Sequence, residues 1–132
     1  MTKLRPFMPH DGTAVEIMMR EEGFLPEDCS HDRHTTMVLV DEDDYPIGFF
    51  TVKLEHGMPY LEHLCLDSMH RNINNARALI KGFVDKAREM GYKKAIVHTG
   101  VDKVGAQKLL VHYFRKAFYS TTKDSRFMLV EV

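Results

Sequence analysis

The chain has 132 residues, of which 44% are hydrophobic and 28% charged, and its net charge at neutral pH is -1. That length provides one domain with a proper core and is too short for two, so residues 1–132 read as a single domain. The near-neutral balance excludes a global electrostatic pull toward nucleic acid or an anionic membrane. No apolar run approaches the roughly 20 residues of a membrane span, and the opening stretch MTKLRPFMPHDG lacks a signal-peptide core. Two cysteines, Cys29 and Cys65, fit a reduced, cytoplasmic protein better than a disulfide scaffold.

Lys3 to Phe7 reads as a short strand closed by Pro6 and Pro9. Asp11 is placed to cap a helix reaching about Glu22, with Ala14, Ile17 and Met18 at helical spacing and Gly23 at its end. Phe24 to Thr35 is irregular. Thr36 to Val40 is a strand, Asp41 to Pro46 a charged turn and Ile47 to Leu54 its hairpin partner. A further turn at Gly57 to Pro59 leads into a strand, Tyr60 to Leu66. An amphipathic helix follows from about Asn74 to Met90, with Ala76, Leu79, Ile80, Phe83, Val84 and Ala87 on one stripe and Gly91 as C-cap. Ala95 to His98 is a short buried strand, which makes Tyr60 to His98 a parallel strand–helix–strand unit. A helix from Asp102 to Phe114 and two strands, Ala117 to Thr121 and Phe127 to Val132, complete the chain. The order β-α-β-β-β-α-β-α-β-β implies an α/β (α+β) three-layer sandwich, a mixed central sheet with helices on both faces.

The turn Arg71 to Ala76 stands where a strand hands over to a helix N-terminus. Unpaired N–H groups and the positive end of the helix dipole meet there, and the place suits an anion such as a pyrophosphate. Arg71, Arg77 and Lys81 gather positive charge beside it.

The element order and four strings resemble the GNAT superfamily of acyl-CoA-dependent N-acetyltransferases. They are Leu4-Arg5-Pro6 before a capped helix, Leu64-Cys65-Leu66-Asp67-Ser68-Met69-His70-Arg71, Lys93 to Thr99, and Tyr113-Phe114-Arg115-Lys116-Ala117-Phe118. The last is similar to the family's Tyr-Glu-Lys-Leu-Gly-Phe signature. The family's loop motif is Arg or Gln, two residues, Gly, one residue, then Gly or Ala. Arg71 and Ala76 fit it, whereas Asn74 stands at the first glycine and Asn72 at a further glycine position. The asparagine often found early in the last helix is also missing, near Gly105 and Ala106.

The resemblance implies a fold, a cofactor and roles. Acetyl-CoA is the expected acyl donor, held by Arg71, Asn72, Ile73, Asn74, Asn75, Ala76 and Arg77 at its diphosphate and by the backbone of Leu64, Cys65 and Leu66 along its pantetheine arm. Tyr113 is expected to protonate the leaving thiolate. Family bases often come from the strand Tyr60 to Leu66. Alternation puts Tyr60 and Glu62 on one face with Leu64 and Leu66, so Glu62 is the first choice of base and His63, opposite, the second. His98 competes as a cleft residue or a strand cap. The acceptor is expected to be an amine, a small molecule or a protein amino group. The acidic residues Glu27, Asp28 and Asp32 favour a cationic one. The chain is expected to be a monomer or homodimer, with no nucleic-acid or membrane partner.

His31 and His34 have HxxH spacing near Cys29, but zinc usually needs three or four ligands in a recognisable pattern, so no metal is expected. Asp41 to Asp44 lacks the glycine and terminal glutamate of a calcium loop. A competing reading keeps the fold without catalysis, as a binding or assembly protein of the phage type, and rests on the missing glycines and asparagine.

Overall fold

The computed structural model describes residues 2–25 and 31–132. Seven strands, β1 (Lys3–Pro6), β2 (Thr36–Val40), β3 (Pro46–Glu55), β4 (Met58–Leu66), β5 (Lys94–Gly100), β6 (Ser120–Thr121) and β7 (Ser125–Glu131), form one sheet in the order β1-β2-β3-β4-β5-β7-β6. Among the described residues three α-helices accompany it: α1 (Gly12–Glu21), α2 (Ile73–Glu89) and α3 (Val104–Phe114). The sheet is mixed. β4 and β5 run parallel with Tyr60 opposite Ile96, as the strand–helix–strand pattern requires, while β1–β2, β2–β3, β5–β7 and β6–β7 are antiparallel. This is the α/β class expected from the sequence. The chain divides into two compact units, residues 1–52 with 63–83 and residues 53–62 with 84–132.

In the first unit β2 and β3 are apolar almost throughout, because helices cover them on both sides. Phe49 packs with Val15, Met18 and Met19 of α1 and with Cys65. The next residue, Phe50, points to the other face and meets Phe83 of α2 edge-on, ring centroids 6.3 Å apart. Each such aromatic, fully buried, contributes on the order of 2–3 kcal/mol. Glycine is required twice. A Cβ on Gly82 of α2 would run into Leu4 and Phe50, and one on Gly48 of β3 would lie 2.7 Å from Leu66 Cδ2 and 3.0 Å from the Cys65 carbonyl oxygen.

Three local expectations change. The core face of α1 is Val15, Met18 and Met19; Ile17 is 51% exposed. Asp11 does not cap α1 with its side chain. A 3-10 turn, Pro9–Asp11, precedes the helix, and the buried carboxylate accepts two bonds from the Arg5 guanidinium (2.7 and 2.9 Å) and one from the Met8 N–H (2.8 Å). Arg5 also reaches Asp44 at 2.8 Å. Burial by itself would raise the Asp11 pKa, but the Arg5 and Met8 donors hold it below the usual value, while the Asp11 and Asp44 carboxylates raise that of Arg5. The sixth strand shrinks to Ser120–Thr121, since α3 ends on Arg115 in the left-handed region (φ 57°) and the chain re-enters the sheet late.

In the second unit β5 and β7 pair continuously from Lys94–Glu131 to Gly100–Ser125. Ala95, Ile96, Val97, Met128, Val130 and Leu110 are buried there. The β3–β4 hairpin turns on His56 and Gly57, both with positive φ (53° and 73°), the signature of a type I′ turn. Gly91 ends α2 at φ 90°, the C-cap that the sequence indicated.

Candidate active site

The first unit contains the loop before α2. After β4, Asp67 donates its N–H to the Ile47 carbonyl at 2.8 Å and a 3-10 turn, Ser68–His70, follows. The Asp67 carboxylate also holds His70 Nδ1 at 2.8 Å. Asn72 is the N-cap of α2. Its Oδ1 accepts the Asn75 N–H at 2.9 Å, its carbonyl accepts the Ala76 N–H at 3.1 Å, and Asn75 Nδ2 donates back to the His70 carbonyl at 2.9 Å. Neither Asn72 nor Asn74 has a positive φ, so this turn makes no demand for glycine on backbone grounds. Asn74 lies inside the first turn of α2, and the N–H groups of Ile73 and Asn74 have no partner among the described residues.

Arg71 is tied into the unit. Its Nε donates to the Leu66 carbonyl at 3.2 Å, and its terminal nitrogen reaches Glu22 Oε1, just past α1, at 2.7 Å. Sequence reasoning missed Glu22, which lies 49 residues from Arg71. Asn72 as a cap was within reach, since asparagine before a helix start is a cap signal. Arg77 is exposed, Leu64 is half-buried, and Cys65 and Leu66 are buried. His63, the second-choice base, donates its N–H to Thr51 Oγ1 at 3.0 Å, with its Nδ1 3.2 Å from the same oxygen and its ring edge-on to Phe24.

The second unit contains Glu62, Tyr60, His98 and Tyr113. Tyr60, Glu62 and Leu64 are partly exposed where Leu61 and Cys65 are buried, and the expected alternation along β4 breaks at half-buried His63 and at buried Leu66. Lys53 Nζ lies 3.3 Å from the Glu62 carboxylate. His98 is stacked between Tyr60 (4.8 Å) and Phe127 (5.7 Å). Its Nε2–H donates to the Glu62 carbonyl at 3.0 Å, which fixes the tautomer and leaves a buried Nδ1 without a partner among the described residues. Burial pushes its pKa below the ordinary histidine value, so the ring is neutral near pH 7. Tyr113 is half-buried and edge-on to Phe114. The carboxamide early in α3 is that of Gln107, turned onto the Gly100 and Val101 carbonyls at 2.9 and 3.0 Å.

His31 belongs to the core of the first unit: its nitrogens contact Thr36 Oγ1 and Met19 Sδ, and its ring packs on Phe7 and Phe49. Asp32 accepts the His34 and Thr35 N–H groups. Glu27, Asp28 and Cys29 lie outside the described residues. Among the described residues no three of His, Cys, Asp and Glu gather to hold an ion, and no helix is long and apolar enough to cross a membrane.

Residues 5–114 match the model of the acetyltransferase (GNAT) family. The chain belongs to that family. The matched stretch takes in the loop 71–77 and Tyr113, and ends before β6 and β7. Solved GNAT relatives share the fold at low identity. The diaminobutyrate acetyltransferase EctA of Paenibacillus lautus, in complex with L-2,4-diaminobutyric acid and coenzyme A, is 16% identical with a TM-score of 0.77, over 99% of this chain and 95% of that one. The spermidine/spermine N-acetyltransferase SpeG of Vibrio cholerae is 15% identical (TM-score 0.77; 98% and 93% covered). A ribosomal-protein-alanine N-acetyltransferase of Escherichia coli is 15% identical (TM-score 0.76; 100% and 94% covered). Nothing among curated protein sequences matches this chain.

Proposed function

We propose that this GNAT chain, as one domain, is an N-acetyltransferase that moves an acetyl group from acetyl-CoA to an amine by direct attack in a ternary complex. The observation that supports it most is the start of α2, where the unpartnered Ile73 and Asn74 N–H groups and the positive helix end stand beside Arg71 and Arg77. These groups would hold the diphosphate, with Asn72, Asn75 and Ala76 shaping the turn, while the backbone of Leu64, Cys65 and Leu66 would bind the pantetheine arm. The amine nitrogen attacks the thioester carbon, the carbon–sulfur bond breaks, and the amine's proton passes to the Glu62 carboxylate. Tyr113 gives its hydroxyl proton to the departing thiolate. The acceptor is a small amine or a protein amino group, the compartment the cytoplasm, and the protein a monomer or homodimer.

Titration calorimetry with acetyl-CoA tests this reading. Micromolar binding is expected, weakened roughly tenfold or more in Arg71→Ala, the usual worth of one charge-assisted bond. No heat, and no shift in melting temperature at millimolar acetyl-CoA, would favour a second reading, a non-catalytic binding protein. Two observations support that alternative: Asn72 Oδ1 occupies the Asn75 N–H, and Glu22 occupies Arg71.

A further inference from the structure

Along α3 the second unit has an open groove of about 720 Å³. Val104, Val111 and Phe118 give it an apolar floor; Lys108, Arg115 and Arg126 give it a cationic rim, to which Lys116 adds, with His112 alongside. Among the described residues no carboxylate lines it. Lys116 Nζ donates to the Leu129 carbonyl at 3.3 Å, whereas Lys108, Arg115 and Arg126 have no acidic partner among the described residues. Cations left unneutralised around an apolar floor are costly to one another, and an anionic, partly apolar ligand relieves that cost.

The groove is separate from the proposed chemistry. At about 100° per residue, Val104, Lys108 and Val111 lie roughly 140–180° around the α3 axis from Tyr113. Its shape favours an extended chain over a compact ion. Val104 to Arg115 covers about 16 Å at 1.5 Å per residue, the length of about five residues of extended peptide at 3.3 Å each. Lys108, His112 and Arg115 recur once per helical turn, about 5.4 Å apart, close to the ~6.6 Å between same-side residues of a strand. Alternate residues of such a peptide face opposite ways, so acidic side chains reach the rim while apolar ones reach the floor.

We infer that this groove is a docking site for a partner protein that presents an extended segment of alternating acidic and apolar residues. The apolar floor favours this occupant over nucleic acid, whose backbone offers charge without side chains to fill it. The site needs neither cofactor nor acetyl transfer, so its fate is independent of the enzyme reading.

Fluorescence anisotropy with a labelled six-residue Glu-Leu repeat tests it, alongside a Gln-Leu repeat and a 12-nucleotide oligothymidylate. The acidic peptide is expected to bind, to weaken as salt rises, and to lose at least tenfold in affinity in the surface double variant K108E/R126E. Phe118→Ser is expected to weaken it severalfold without changing its salt dependence. Equal binding of the Gln peptide, an unaffected double variant, or tighter binding of the oligonucleotide would overturn the proposal. Salt-sensitive self-association abolished by K108E/R126E would also overturn it, in favour of a second copy as occupant.

Discussion

The two units handle charge in opposite ways. The first carries seven Lys/Arg and twelve Asp/Glu, the second eleven Lys/Arg and seven Asp/Glu, so a chain of net charge -1 is split into an acidic and a basic part. In the acidic part several carboxylates are structural. Asp11 and Asp44 clasp Arg5, Glu22 holds Arg71, and Asp32 and Asp41 accept backbone N–H groups in turns. In the basic part Lys108, Arg115 and Arg126 face solvent around a groove with no acid opposite among the described residues. Net composition hides this. Charge that is paired internally works on the fold, and charge left unpaired on a surface is available to a ligand.

The sharpest way to break that contrast is at Asp11, with 0% of its side chain exposed. Asp11→Ala leaves Arg5, itself 14% exposed, with the Asp44 carboxylate and the Pro6 carbonyl as partners. Losing one member of a buried pair costs 3–5 kcal/mol, and the remaining Asp44 contact points to the lower end, about 3 kcal/mol by chemical denaturation. The sign with pH follows from the depressed Asp11 pKa. Its contribution is complete above the ordinary carboxylate value of 3.8 and is lost as pH falls through the lower folded value, so wild type and variant should converge in acid. A gap that persists unchanged at pH 2 would show that shape, not charge, is responsible.

Gly48→Ala comes next. The new methyl would press on the Cys65 carbonyl, which cannot move aside as a side-chain tip can, and on Leu66. A loss of about 2 kcal/mol is expected for such overpacking. If acetyl-CoA binds along Leu64 to Leu66, its affinity should fall as well, by calorimetry. In the basic unit the corresponding change goes the other way. Arg115 holds a left-handed conformation that costs a branched-free L residue about 1 kcal/mol, so Arg115→Gly should raise stability by about that amount. The same change removes a rim cation and should weaken the acidic peptide. Greater stability with weaker docking would separate the two uses of that residue.

Much of the fold was legible because the patterns are local. The stripe on α2, the β2–β3 hairpin and the Gly91 cap each need only their own neighbours. The face of α1 was not, since Ala14, Ile17, Met18 and Val15, Met18, Met19 both satisfy helical spacing and only Phe49 of β3 decides between them. Ala117 to Thr121 has a strand's composition, but the left-handed Arg115 delays its pairing. At the candidate site the position of the loop could be read, and its internal bonds could not. The Arg71–Glu22 pair joins residues far apart in sequence, and the Asn72 cap was obscured by treating the position as a missing glycine. The row Lys108, His112, Arg115 was visible at i, i+4, i+7, but only the groove beneath it gives it meaning.

The smallest effect concerns His98, where the basic unit buries a titratable group against its own charge. The ring sits between Tyr60 and Phe127, donates to the Glu62 carbonyl, and is neutral because burial disfavours the imidazolium. A depressed histidine pKa means that the unfolded chain binds the proton first. Stability is therefore full above the ordinary value of 6.5 and is lost as pH falls from there through the lower folded value. Melting temperature should decline between pH 7 and pH 5, and His98→Phe, which keeps the aromatic stack and cannot titrate, should flatten that part of the profile while losing the bond to β4 at every pH. Should the decline survive in His98→Phe, another histidine carries it and the buried Nδ1 is energetically silent. Should it vanish, the stack of Tyr60, His98 and Phe127 is the part of the basic unit most sensitive to mild acid, in contrast to the Arg5–Asp11 pair, which yields only near the carboxylate range.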